Sequence, residues 1–361
     1  MKNKTLTYYA VLDDKTSPGV AKKILNTVAA ANELGVVSSS KVFSPNDKFS
    51  LFVGIIKENS DYIYIRYPGW ISYFLFFVLV YKRLIGSKVI IDIPTPRVIG
   101  LKEIEDSERS YFRKLISKVV LICAGSWVLW PAHRIIQYAD ESTWFSWGVK
   151  NKSIKIGNGI NINLTTPLVE KTLRDDSLNL IAVAQLAGWH GYDRLISAIA
   201  LLKDKYPEFK VSLKIVGDGT ALPKLKSLVS NFKLEDNVVF TGFLYGKDLD
   251  DAFEGMHLAV ASLGLYRIGL SEASVLKTRE YMARGLCVIG VGKDPDFPDN
   301  SPYRFLVPNN DEIEVLSELI YKLKDEVLPS PKEVRGYAQK NLTLKAKVEK
   351  ILNFNEPEIN M

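Results

Sequence analysis

Between Leu178 and Val291, short apolar runs of strand length alternate with stretches of helical periodicity. Leu178–Val183, Val211–Val216, Val238–Phe240 and Leu258–Ala261 read as strands, and Arg194–Tyr206, Leu222–Phe232 and Asp248–Gly255 as the helices between them. Strands joined through helices at this spacing run parallel, because the crossover must pack back onto the sheet. A doubly wound α/β sheet, covered by helices on both faces, is therefore predicted. In the first half, Leu6–Leu12, Asp61–Tyr67, Lys88–Ile93 and His133–Tyr138 read as strands, and Gly35 stops a helix that begins near Val20. The first strand, the Thr16-Ser17-Pro18-Gly19 turn and this helix open either a nucleotide-type βα unit or a plain tight turn, since no G-x-G-x-x-G run is present.

A chain of 361 residues with 47% hydrophobic content can bury two cores. Charged residues at 24% argue against long disorder. Cys123 and Cys287 both lie in apolar runs, which suits reduced core thiols in a cytoplasmic protein rather than a disulfide framework. The N-terminus runs straight into strand-like sequence, so no signal peptide is expected. The polar run 161–176 is the best linker candidate, dividing a domain at 1–163 from one at 164–335. Net charge is +6, and residues 1–150 hold 20 Lys and Arg against 13 Asp and Glu. That excess points to nucleic acid, an anionic membrane surface or a phosphorylated substrate. Nucleic acid is disfavoured, because the basic residues are interleaved with apolar ones at helical spacing and no reader motif appears.

Trp70–Tyr81 is almost wholly apolar and is followed at once by Lys82 and Arg83. Its 12 residues fall short of a bilayer span. A helix buried in the core is the default, and a peripheral membrane helix is the competing reading. Arg109–Leu121 favours the second: Arg109, Arg113, Lys114 and Lys118 form one face, and Tyr111, Phe112, Leu115, Ile116, Val119 and Val120 the other. Trp127, Trp130, Trp144 and Trp147 follow closely.

The chemistry concentrates in Ser271–Gly290. Glu272 and Glu280 stand eight positions apart; the first lies in a loop of small residues, and the second in a helix predicted over Leu276–Arg284 and ended by Gly285. A turn–helix–strand unit presents the free N–H groups and positive dipole end of a helix, a ready site for a diphosphate. Lys277 and Arg279 add full charge to the same turn, while Glu280 can accept from ribose hydroxyls and Glu272 from those of a second sugar. Spacing alone would equally suit two ordinary surface glutamates.

Flanking residues separate these readings. Leu276, Lys277, Glu280, Tyr281, Met282, Ala283 and Gly285 make an LK-x-x-EYMA-x-G run that resembles the E-x7-E motif of retaining glycosyltransferases of family four. IVGDG ending at Gly219, VVFTGF ending at Phe243 and the glutamate pair follow in the family's order. The resemblance is strong over about 120 residues of the second half and weaker in the first, where the KIGNGI run ending at Ile160 is similar to the family's NGID segment with Asn161 in place of the aspartate.

This resemblance implies the GT-B fold: two Rossmann-like doubly wound domains facing a central cleft, with a last helix near 340–357 packing back on the first. It implies transfer of a sugar, with retention, from a nucleotide-diphosphate sugar of UDP or GDP type to a growing, lipid-linked or free, cell-surface polysaccharide. No metal and no cofactor are called for. Glu272, Lys277 and His190 are the expected catalytic set. Glu280, Gly217, Asp218, Gly219, Gln185, Arg279 and Phe243 are expected to bind the donor, and Gly19, Arg66 and Asp92 to face the acceptor. Gln185 and His190 stand where the family usually has an arginine and a lysine, which puts that clamp in doubt. A sugar-nucleotide epimerase of the same fold and a nucleotide-sugar-binding module without chemistry are the alternatives. The expected location is the cytoplasm, with the inner face of the cell membrane as a peripheral station.

Overall fold

The structure is a computed structural model that describes residues 4–12, 18–47, 49–68, 72–94, 96–106, 110–168 and 177–353. The chain forms two compact units, one running up to Gly157 and resuming at Leu344, the other spanning Asn158–Thr343. The division falls before the polar run expected as the linker. The reason is local: Asn158 binds Ser274, and Ile160 bridges Thr343, so the KIGNGI segment is already tied into the second unit. Of the polar run, residues 169–176 lie outside the described residues.

The first unit is built from β1 (Thr5–Val11), α1 (Pro18–Glu33), β2 (Val37–Phe43), α2 (Ser50–Lys57), β3 (Tyr62–Arg66), α3 (Ser72–Leu84), β4 (Lys88–Ile93), α4 (Arg97–Asp106), α5 (Tyr111–Ala124), β5 (Arg134–Gln137), α6 (Thr143–Ser146) and β6 (Ser153–Lys155). Its six strands are parallel in the order β2-β1-β3-β4-β5-β6. The two-residue period of β1 distributes its side chains between two cores. Leu6, Tyr8 and Ala10 join Ile24 of α1 and the last helix, whereas Tyr9 joins Leu51 of α2 and Leu75 of α3 on the opposite face. Buried on both faces, such strands read as nearly continuous apolar runs.

α3 answers the question left by its sequence in two halves. Leu75, Val78 and Leu79 are buried in the core as the default reading required, but Phe74, Phe77, Tyr81 and Leu84 are exposed. Trp70 of that stretch, and Arg109 of the basic stripe before α5, lie outside the described residues.

The second unit comprises β7 (Ser177–Val183), α7 (Tyr192–Lys205), β8 (Lys210–Val216), α8 (Leu222–Asn231), β9 (Val238–Gly242), α9 (Gly246–Phe253), β10 (Leu258–Val260), α10 (Leu276–Arg284), β11 (Cys287–Gly290), β12 (Arg304–Leu306), α11 (Glu314–Lys322) and α12 (Pro331–Asn341). Strand order is β12-β11-β10-β7-β8-β9, again all parallel. The order reverses between β7 and β10, the point where doubly wound sheets hold ligands beyond their strand C-termini. In the first sheet the reversal lies between β1 and β3. A final helix, α13 (Leu344–Asn353), packs on α1, and Arg134 of β5 donates to the Ile351 and Leu352 carbonyls. Both units are therefore Rossmann-like parallel sheets.

Candidate functional site

Lys277 enters α10 one residue after its start. Val275 precedes the helix with extended backbone; its carbonyl accepts the Thr278 N–H at 3.2 Å, and it supplies no side-chain cap that would stand in the way of an external acceptor. The Lys277 ammonium donates to the Tyr192 hydroxyl at 3.3 Å and stands 5.8 Å from the centre of the Trp189 ring. Desolvation by these aromatics pushes its pKa down to about 7, an effect only partly offset by the Glu280 carboxylate. Such an ammonium gains from a bound anion, which would restore the charge balance that burial disturbs.

His190 lies beside it. Its ring is buried, 3.9 Å from Trp189 and stacked on Tyr192, and Nδ1 accepts the Ala187 N–H at 3.1 Å. Burial, reinforced by the Lys277 charge, lowers its pKa to about 4. The ring is accordingly neutral with its proton on Nε2, a donor without charge. Gln185 is exposed in the same loop after β7.

Three loops at the strand C-termini are bonded together here. Leu186 N–H donates to the Asp218 carbonyl at 2.7 Å, Ala221 N–H to the Leu186 carbonyl at 3.1 Å, and Gly217 N–H to the Gly242 carbonyl at 2.7 Å. Gly217 and Gly219 have φ of +126° and +154°, and a Cβ on either would fall 1.9 Å and 2.3 Å from the Ala184 and Leu186 carbonyl oxygens. Only glycine permits this approach. Asp218 caps the turn by accepting from Gly219 N–H at 2.6 Å. Phe243, just past β9, is exposed and stacks on Tyr245, leaving aromatic faces open beside the loops.

Glu280 is exposed on α10, and Glu272 is half-buried in the loop before it. That loop is held on two sides: residue 272 bridges Lys293, and Asn158 donates from its backbone and its side-chain amide to Ser274. Sequence reasoning missed Asn158, Ser274, Tyr192 and Trp189 as parts of this site. Asn158 sits in the KIGNGI segment, 116 positions before its partner, and no local pattern links the two.

Arg279 departs from expectation. Its guanidinium is wholly buried and binds Asp294 through both terminal nitrogens, Asp296 at 2.6 Å and the Asn158 carbonyl at 3.2 Å. Those partners raise its pKa against the opposing effect of burial. The charge is consumed inside the fold, so Arg279 braces the site rather than offering itself to a donor. Asp294 and Asp296 are the counter-charge. Arg267, a residue no motif marked, donates to Asp193 and to the Gly188 carbonyl at the edge of the loop holding His190.

In the first unit, Arg66 ends β3 and lies 3.7 Å from Asp92 near the end of β4. Asp92 has no solvent exposure, and Tyr8 donates to it at 2.8 Å. Tyr64, Tyr138 and the Lys23 ammonium, 3.9 Å from the Tyr138 ring, surround the pair. Burial depresses the Lys23 pKa while Asp92 supports it. Asp92 thus stands behind Arg66 instead of facing an acceptor itself. Gly19 lies in the first turn of α1, not in the loop before it.

Among the described residues no three His, Cys, Asp or Glu side chains converge as a metal site, and no helix is long and apolar enough to cross a membrane. A cavity of about 660 Å³ opens at the opposite, N-terminal edge of the second sheet, lined by Lys247, Asp250, Arg284 and Cys287. It shares no residue with the site above.

Residues 177–325 match the family described as Glycosyl transferases group 1. Mannosylfructose-phosphate synthase of Agrobacterium fabrum is 34% identical over 103 residues, covering 27% of this chain and 23% of that enzyme. One subunit of human phosphatidylinositol N-acetylglucosaminyltransferase is 26% identical over 166 residues, covering 45% of this chain and 33% of that protein. The chain thus spans no more than a third of either relative's length. Anabaena HepE, solved with UDP, superposes with a TM-score of 0.62 at 16% identity, covering 97% of this chain and 98% of that one. At that identity the likeness shows the fold alone, two Rossmann-like parallel sheets of GT-B type. The match to the group 1 model thus falls within the second unit, from β7 to the segment after α11.

Proposed function

We propose that the protein is a retaining glycosyltransferase that takes a nucleotide-diphosphate sugar, of UDP type, onto its second unit. The acceptor is a growing cell-surface glycan carried on a lipid at the inner face of the membrane. The observation that carries the reading is Lys277: a half-buried ammonium at the uncapped start of α10, with its pKa pulled down to about 7. In this reading the diphosphate lies along the first turn of α10, where Lys277 and the backbone N–H groups meet its charge. Tyr192 aims the ammonium, and neutral His190 donates through Nε2. Glu280 accepts from the ribose, Glu272 orients the donor sugar, and Phe243 stacks on the base beside the Gly217-Asp218-Gly219 turn.

As the anomeric C–O bond breaks, its electron pair goes to the β-phosphate oxygen, which Lys277 stabilises. The acceptor hydroxyl attacks the same face of the sugar, and its proton passes to that departing oxygen, so no separate protein base is required. UDP is favoured by the ligand of the HepE structure, and a lipid-borne acceptor by the phosphatidylinositol in the human relative's name.

Incubation with a panel of UDP- and GDP-sugars should release nucleotide slowly. Release should be lost in Lys277→Ala and Glu280→Ala, and the product should keep the donor's anomeric configuration by NMR. A second reading, a nucleotide-sugar binder without turnover, is favoured by exposed Gln185 and uncharged His190, which leave the phosphates fewer cations. Tight binding with no nucleotide release in the presence of acceptor extract would select it.

A further inference from the structure

Of the 14 residues of α5 only Ala124 is buried, and eight are exposed. Phe112, Ile116 and Val119 follow one another along it at helical spacing, and each is at least half exposed. α3 repeats the pattern, with Phe74, Phe77 and Tyr81 on its outer stripe and Phe77 70% exposed. Among the described residues nothing covers these two apolar stripes, and exposed patches of this kind mark interaction sites.

They are parts of one surface. Phe49, at the start of α2, meets Phe74 edge-on at 5.5 Å. Phe76 meets Trp127 at 5.1 Å, and the Trp127 indole donates to the Cys123 carbonyl of α5 at 2.9 Å. Tyr73 donates to the Val120 carbonyl at 2.7 Å, and Trp144 to the Ile122 carbonyl at 2.8 Å. Trp144 and Trp147 are both more than half exposed. Indoles that hold a backbone carbonyl at one end and show an apolar ring at the other suit a boundary between water and hydrocarbon.

Charge selects the occupant. α2, α3 and α5 contain no Asp or Glu, but they carry Lys57, Lys82, Arg83, Arg113, Lys114 and Lys118. Lys82 is consumed inside, donating to the Ile56 and Glu58 carbonyls, and Lys118 pairs with Glu105. Arg83 stays exposed beside Leu84, and with Lys88 and Lys152 it surrounds exposed His133. Lys152 also donates to the Trp130 carbonyl, joining this cationic cluster to the aromatic rim. A second copy of the chain would bring the same positive field against itself.

We infer that the outer faces of α2, α3 and α5, with Trp144, Trp147 and the Arg83–Lys88–Lys152 cluster, form a docking surface for an anionic lipid bilayer. The helices lie along the headgroups with their aromatic stripes inward and the cations on lipid phosphates. This deepens the membrane part of the proposed function and leaves its donor part independent, because donor turnover in solution reads the second unit without lipid.

Flotation of the full chain with phosphatidylcholine vesicles, with and without phosphatidylglycerol, tests it. Binding is expected only with the anionic lipid and should weaken at high salt. Arg83→Glu with Lys88→Glu should weaken it roughly fivefold for each cation removed. Phe77→Glu with Phe112→Glu should abolish it while donor turnover persists. Should the latter pair fail to fold, the charge pair decides the matter on folded protein. Absence of flotation at low salt, equal binding to neutral vesicles, or a dimer in light scattering that Phe77→Glu with Phe112→Glu dissociates, would each overturn the assignment.

Discussion

The two units share six parallel strands but treat their helix surfaces oppositely. In the second unit, charge is drawn inward around α10: Arg279 is wholly buried between Asp294 and Asp296, and Lys277 is held among aromatics with its pKa near 7. In the first, the cations ring an apolar face that points outward from α3 and α5. In the proposed reading one unit receives a small anion and the other a lipid surface. The lesson is that apolar helix surface can face the core or the solvent, according to which stripe of a helix the sheet covers.

The contrast can be broken at several points. Arg279→Leu takes the guanidinium away from two buried carboxylates and should lower the stability of the second unit by about 3–5 kcal/mol in urea unfolding, with lipid flotation unchanged below the transition. Lys277→Ala should reduce donor turnover by about 10²–10³-fold, as expected for one lost electrostatic donor, without altering flotation. Phe243→Ala should weaken nucleotide binding by about 1–3 kcal/mol in calorimetry, through lost stacking.

The pH dependence is sharper in sign than in size. The folded pKa of Lys277, about 7, lies below its ordinary 10.5, so the unfolded chain holds the extra proton between those values. Stability of the free protein should therefore rise with pH across that window, whereas affinity for a nucleotide-sugar should fall by about tenfold per unit above 7. Lys277→Gln should flatten both curves. Ile116→Glu should leave donor turnover unchanged, since its side chain belongs to the other unit.

Most of the fold was legible because parallel strands buried on both faces must be apolar, and their short runs are separated by helical periods. The helix ending at Gly285 and the turn through Gly217 and Gly219 were legible for a related reason, since glycine marks backbone that other residues reject. Arg279 and Asp92 were misread because burial is not a local property. A cation on a first helical turn looks available until residues 294 and 296 fold over it, and Asp92 looks accessible until Tyr8 covers it. The protonation of His190 was equally out of reach, since desolvation and the nearby Lys277 decide it.

By itself, then, the order of residues determined the two doubly wound sheets, the helix start that can receive an anion and the surplus of positive charge in the first half. Tertiary structure alone decided which cations are already neutralised, which histidine is uncharged and which aromatic stripe stays outside. Periodicity and chain stiffness act between neighbours, whereas solvation and Coulomb energy depend on groups brought together from more than a hundred positions apart.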